Sequence, residues 1–345
     1  MRRMLRIVFS WIALNVVLFA AALAAGQAQT PPLEGSFYTN SLHYTNRGIE
    51  FICSKEHGGL EKLTGMSAEE LGCLPAKCHV RSCDTCHRKD TDGRAYYSVE
   101  TARTEAACQR CHAVDESDQD VHFKSGMKCM DCHSAREIHG DGVAYDTYMQ
   151  PGFFDTRCDN CHNDIPKTAS HTVHGGKLDC IVCHARDVVT CFNCHIDTRI
   201  AEKKDIQIER HGLFFLVNHE GEVTLGNFLS YVYGNKTMIT VAPTFSHAIM
   251  EEGRECRACH ATSIVRQVKE GVLELLSWRD GDAVSPEGVV PVIEGMKWNL
   301  TFLGRASDQW NPLEKPEPPL INFSGYCAPL SREQLGKLER AQPEE

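Results

Sequence analysis

This sequence has too little positive charge to serve nucleic acid. Lys and Arg number 36 against 46 Asp and Glu, a formal net charge of −10. Polyanions and anionic lipid surfaces are therefore poor partners, and basic surfaces are better ones. Apolar runs of membrane-spanning length are missing after residue 25, which excludes a bundle of membrane-spanning helices. Unassigned cysteines are scarce as well, because only Cys53 and Cys327 of the 18 fall outside a repeated motif.

The one long apolar run, Ile7 to Ala25, follows Arg2, Arg3 and Arg6 and gives way to small residues up to Ala28. Residues 1–28 thus read as an export signal, with Gly26-x-Ala28 the preferred cleavage point. An uncleaved anchor is the alternative, since the run of 19 residues nearly suffices to span a bilayer. Export leads to the periplasm or beyond it. That compartment permits a disulfide between Cys53 and Cys327, with a free buried thiol at each as the other reading.

What the chain has in abundance is Cys-x-x-Cys-His. Seven copies occur: Cys83, Cys86 and His87; Cys108, Cys111 and His112; Cys129, Cys132 and His133; Cys158, Cys161 and His162; Cys180, Cys183 and His184; Cys191, Cys194 and His195; Cys256, Cys259 and His260. An eighth, stretched copy is Cys73-Leu-Pro-Ala-Lys-Cys78-His79. At these frequencies of Cys and His, chance yields roughly 0.05 copies in a chain of this length. The string is the attachment site of haem c, in which two thiols reach the porphyrin vinyl groups and the following His is directed at the iron. Zinc sites also pair cysteines, but they have no need of a His fixed behind every second Cys. About eight haem c groups are expected. At the stretched copy, a disulfide or free cysteine pair competes with haem.

Nine histidines lie outside the motifs. His43, His57, His122, His139, His171, His174, His211 and His247 are the candidates for the second axial position on each iron. His219 is set aside because it falls in a predicted hairpin turn. His122, His174 and His247 each precede a motif Cys by six to nine residues with Gly between, which suits a ring that turns away to a neighbouring site. Enough His for every iron favours conduction over catalysis, because catalysis needs one open metal position.

Motif density divides the chain into residues 29–72, a segment supplying distal ligands, residues 73–195 with seven motifs, and residues 196–345 with one. In the last zone, Leu213–Val217 and Glu222–Leu225 predict one hairpin, and Tyr231–Tyr233 with Thr237–Val241 a second. A helix is expected near Ser263–Leu276, and Ser67 and Ser331 open short capped helices.

The motifs, the added histidines and the export signal resemble the multihaem c-type cytochromes over residues 73–260. Eight sites resemble the octahaem members in particular, which include hydroxylamine oxidoreductase, octahaem tetrathionate reductase and conducting periplasmic or filamentous cytochromes. That resemblance implies a mainly α or irregular fold of short helices and coil wrapped around a haem chain, with a small β-hairpin element and a C-terminal cap. It implies electron transfer between a respiratory donor on the quinol side and a terminal reductase or outer-surface acceptor. The alternative is an oxidoreductase acting on a small nitrogen or sulfur compound at one under-ligated haem. No Cys-x-x-Cys-Lys, the catalytic variant of some such families, occurs here. Filamentous relatives imply homo-oligomers in which His43 or His57 would serve the next subunit.

Overall fold

The computed structural model describes residues 37–73, 79–112, 120–306 and 308–338. The segment expected to be an export signal and Cys78 lie outside them. Within them, no helix is long and apolar enough to cross a membrane.

The expectation of a mainly α or irregular chain with one small β element is corrected: helix and strand take equal shares, 28% each. Strands β1 (Arg88–Thr91) and β2 (Arg94–Tyr97) form a surface hairpin. The others are β3 (Thr190–His195), β4 (Ile208–Arg210), β5 (Leu213–His219), β6 (Glu222–Tyr233), β7 (Lys236–Pro243), β8 (Val272–Arg279) and β9 (Asp282–Val284). They continue through β10 (Gly288–Pro291), β11 (Lys297–Leu300), β12 (Leu303–Ala306), β13 (Gln309–Pro312), β14 (Leu320–Phe323) and β15 (Cys327–Ala328). Eight of these join in one sheet, ordered β10-β5-β6-β3-β4, with β7 and β14 beyond β6 and β15 against β5.

Both hairpins read from the sequence are present, as β5–β6 and β6–β7. Glu220 and Gly221 make the first turn with φ of 53° and 93°. Positive φ at both positions matches the strand twist of a two-residue loop. The sheet grows beyond these hairpins because segments from residue 288 onward return to it. β10 pairs parallel with β5 and β14 parallel with β7, so the tail is part of the sheet and not a separate cap.

Burial explains the composition of β5. Leu213, Phe215 and Val217 face one apolar cluster with Phe228, Ile264 and Leu273, while Phe214 and Leu216 face another with Val182, Leu225 and Val289. A strand covered on both faces reads as a continuous apolar run. The second cluster includes Val182, from the motif helix Cys180–His184, so the sheet carries that site directly.

Two local expectations are also corrected. The helix near Ser263–Leu276 stops at Glu270, because Gly271 takes a φ of 75° and Val272 begins β8. The Ser67 segment forms a turn: Ser67 and Glu70 make the reciprocal bonds of a capping box, but no helix follows. Ser331 and Gln334 do cap a helix, Arg332–Leu338.

Between residues 79 and 177 the pattern is different. Helices there run three to six residues. Among the described residues of that stretch, only Ala107, Met149 and Phe153 are buried apolar side chains.

Candidate histidine-paired centres

Six of the motifs share one local design. His87, His112, His133 and His162 each donate their backbone N–H to the carbonyl of the first motif Cys, at 2.9 to 3.0 Å. Cys180–His184 and Cys256–His260 are single-turn helices of the same form. One helical turn puts cysteines three apart on a common face and carries the following His around it.

Each of these six motif histidines faces one non-motif histidine. The pairs and their ring-centre separations are His87 with His139 at 5.9 Å, His112 with His43 at 6.1 Å and His133 with His247 at 6.1 Å. The others are His162 with His122 at 6.0 Å, His184 with His171 at 6.2 Å and His260 with His174 at 6.1 Å. Three of these ring pairs are within 28° of parallel. They are not stacked against each other. A true stack in this protein, Phe51 on His57, closes to 4.0 Å. Two imidazoles on opposite sides of one metal, each bond about 2 Å and each ring centre about 1.1 Å beyond its nitrogen, stand roughly 6 Å apart.

Tautomers point the same way. The Nδ1 of His139, His171, His174 and His184 lies 2.8 to 3.2 Å from the carbonyl of Ala135, Pro166, Ser170 and Met250 respectively. A carbonyl only accepts, so Nδ1 carries the proton and the Nε2 lone pair remains for a metal. His122 and His133 turn Nδ1 to Asp120 and Glu137 in the same way. Burial lowers the His43, His174 and His247 pKa values, His43 to about 4 with His112 adding to the effect. These rings are therefore neutral, as ligands must be.

Glu137 is the supporting residue the motif search missed. It is buried, and its carboxylate accepts from Asp155 N at 2.5 Å, Thr156 N at 3.0 Å and Ser134 N at 3.2 Å, besides holding His133 Nδ1 at 2.7 Å. Burial opposes its charge, yet these bonds keep the carboxyl below its usual range. The signal was legible as a capping box, Ser134-x-x-Glu137, directly behind a motif. Glu137→Gln places an amide donor where donors already converge. It is expected to cost about 2–4 kcal/mol, read by urea unfolding.

The sulfurs of successive sites approach one another. Cys86 lies within electrostatic reach of Cys111, Cys108 of Cys129, Cys132 of Cys161, Cys158 of Cys180, and Cys183 of Cys256. The six histidine-paired sites are thus ordered in space as His87, His112, His133, His162, His184 and His260. Cys191 and Cys194 stand apart from this row, grouped with Cys53 and Cys73 around Tyr231.

The remaining candidates are placed differently. His57 stacks on Phe51 in an open cleft with Lys55, Lys62 and Tyr326. His211 is exposed and paired with Asp187. Neither ring meets a motif histidine among the described residues. His219 ends β5 instead of lying in the turn, and its Nε2 is taken by Met149 O at 2.8 Å. His79 and His195 face no histidine among the described residues, and the Nδ1 of His79 is buried without a hydrogen bond.

Cys53 and Cys327 do not meet. The Cys53 thiol hydrogen-bonds Cys73, and Cys327 Sγ donates to Val241 O at 3.3 Å. The Cys53 contact, with the Arg199 guanidinium assisting against burial, brings the Cys73 pKa down to about 6. This is the sulfur assigned to the stretched motif.

No known protein family matches the chain, and no curated protein or solved structure does either.

Proposed function

We propose that this chain is an exported c-type cytochrome, carrying about eight haem c groups and conducting single electrons along the six histidine-paired sites. The observation that carries the reading is the spacing of those six pairs, 5.9 to 6.2 Å, each joining a motif His to a non-motif His. Bound there, haem c supplies an iron centre that gains and loses one electron without atom transfer.

The chain's own residues do the rest. The cysteines tether each site, and the paired histidines saturate it and exclude substrate. Carbonyls and carboxylates at Nδ1 fix the ring orientation and tune the centre. Contacts such as Cys108 with Cys129 bring neighbouring sites close enough for a continuous row. The net charge of −10 favours basic faces on the respiratory donor and on the terminal or extracellular acceptor.

A second reading, an oxidoreductase for a small nitrogen or sulfur compound, is favoured by His79 and His195, which face no histidine among the described residues. The test is the exported protein itself. Intact mass is expected to exceed the mature chain by seven or eight tetrapyrroles, matching the motif count. Ferric electron paramagnetic resonance is expected to show at least six low-spin centres. Bound zinc with no tetrapyrrole would reject the reading.

A further inference from the structure

Residues 250–254 link the fifth site of the row to the sixth. Met250 N donates to His184 O at 2.8 Å and Arg254 N to Cys183 O at 2.8 Å, and Cys256 follows two residues on. The Arg254 side chain turns back into the protein. Its Nη2 donates to Ala185 O at 2.7 Å, and the guanidinium lies 3.5 Å from the centre of the Phe214 ring. Cys183 and Cys259, one sulfur from each of the two sites, are within its electrostatic reach. Asp187 is the acidic group within that reach, and it pairs instead with His211.

Asp120 brings the opposite charge to the middle of the row. It is buried, and its carboxylate accepts from His122 N at 2.7 Å, Phe123 N at 3.2 Å and Ile249 N at 3.0 Å, with His122 Nδ1 at 3.2 Å. His122 is the partner of His162. Cys132 of the third site and His247, the partner of His133, are within electrostatic reach of the same carboxylate. Glu137 adds a second buried carboxylate at His133. Asp179 stands between the two groups, in reach of Cys158 and directly before Cys180.

We infer that these charges give the row a direction: the His133 and His162 centres sit low in potential, the His184 and His260 centres sit high, and electrons leave from the His260 end. A cation near an iron favours the reduced state, which carries one positive charge fewer, and an anion favours the oxidised state. Charges withdrawn from bulk water are screened least by salt. Arg254 and Asp120 act through their field alone. The inference rests on haem c at the paired sites.

Intact mass first counts the tetrapyrroles, so that a chain without haem, which would overturn the parent reading, is recognised separately. A redox titration of the holoprotein is then followed by ferric electron paramagnetic resonance. Ring planes tell the sites apart, since the His184 and His260 pairs lie at 16° and 24° and the His133 and His162 pairs at 47° and 64°. Near-parallel and steeply inclined axial imidazoles give low-spin signals of different anisotropy. Two near-parallel signals are expected to be lost first on reduction, and two inclined ones to persist longest. Arg254→Gln is expected to lower the potentials of those first two. Arg254→Lys, which keeps the charge without the guanidinium fork, is expected to leave them high. Asp120→Asn is expected to raise the two lowest. The order in the parent protein remains a test even where a variant does not mature. The inference is overturned if inclined signals are lost first in the fully loaded protein. It is overturned equally if the Gln and Lys variants shift the potentials alike, since Arg254 would then serve packing alone.

Discussion

Replacing Cys129 and Cys132 together by alanine is expected to cut electron passage between the His87 and His260 ends of the row. The pair sits third among six sites, with Cys108 as the sulfur neighbour on one side and Cys161 on the other. Removing the tether removes the stepping stone, and the flanking sites are left without a common neighbour. Val99, exposed and next to Ser98, whose N–H bonds His87 O, offers an attachment point at one end. With Val99→Cys bound to gold, the parent protein is expected to discharge all six centres of the row in fast voltammetry. The Cys129 and Cys132 variant is expected to discharge only the centres on the tethered side. Charge per molecule, scaled to haem content, is the measurement. If it does not fall, electrons take a route other than the row of sulfur contacts.

The Cys-x-x-Cys-His motifs were legible because each is a string of contiguous residues. Five positions carry the whole signal, and nothing distant is needed. The second histidines are different, since the metal proposed between each pair would impose distance and direction but no sequence separation. His43 reaches His112 from the N-terminal segment, and His247 reaches His133 from beyond β7. Only the direction of some was readable. His122, His174 and His247 do turn away from the motif that follows each, towards His162, His260 and His133.

The large sheet escaped for a related reason. β10, β14 and β15 enter it from segments whose partners lie about 70 to 110 residues earlier, as with Cys327 against His219, and no local turn announces such pairings. The run Leu213–Val217 did hold a clue. Five successive apolar residues leave no polar face, so the strand had to be covered on both sides. The helix ending at Gly271 was misjudged because Leu273, Leu275 and Leu276 suit a helical stripe as well as a buried strand.

Withholding the cofactor is expected to unfold one part of the molecule and spare the other. Residues 79–177 bury only three apolar side chains among those described, whereas the two apolar clusters of the sheet draw on residues 182–330. Ordering a chain costs roughly 1–2 kcal/mol per residue in backbone entropy, and three side chains return about 1.5–3 kcal/mol each. The motif region therefore gains little from side-chain burial, and on the proposed reading it draws on bonds to its haems instead. Chain produced in cells lacking cytochrome c maturation is expected to lose residues 79–177 rapidly to trypsin. A fragment carrying β5 to β15 is expected to survive with its β-type circular dichroism. The holoprotein is expected to resist cleavage throughout. Equal resistance of the two regions in the cofactor-free chain would show that the motif region stands without its cofactor, and would remove the physical reason for placing one there.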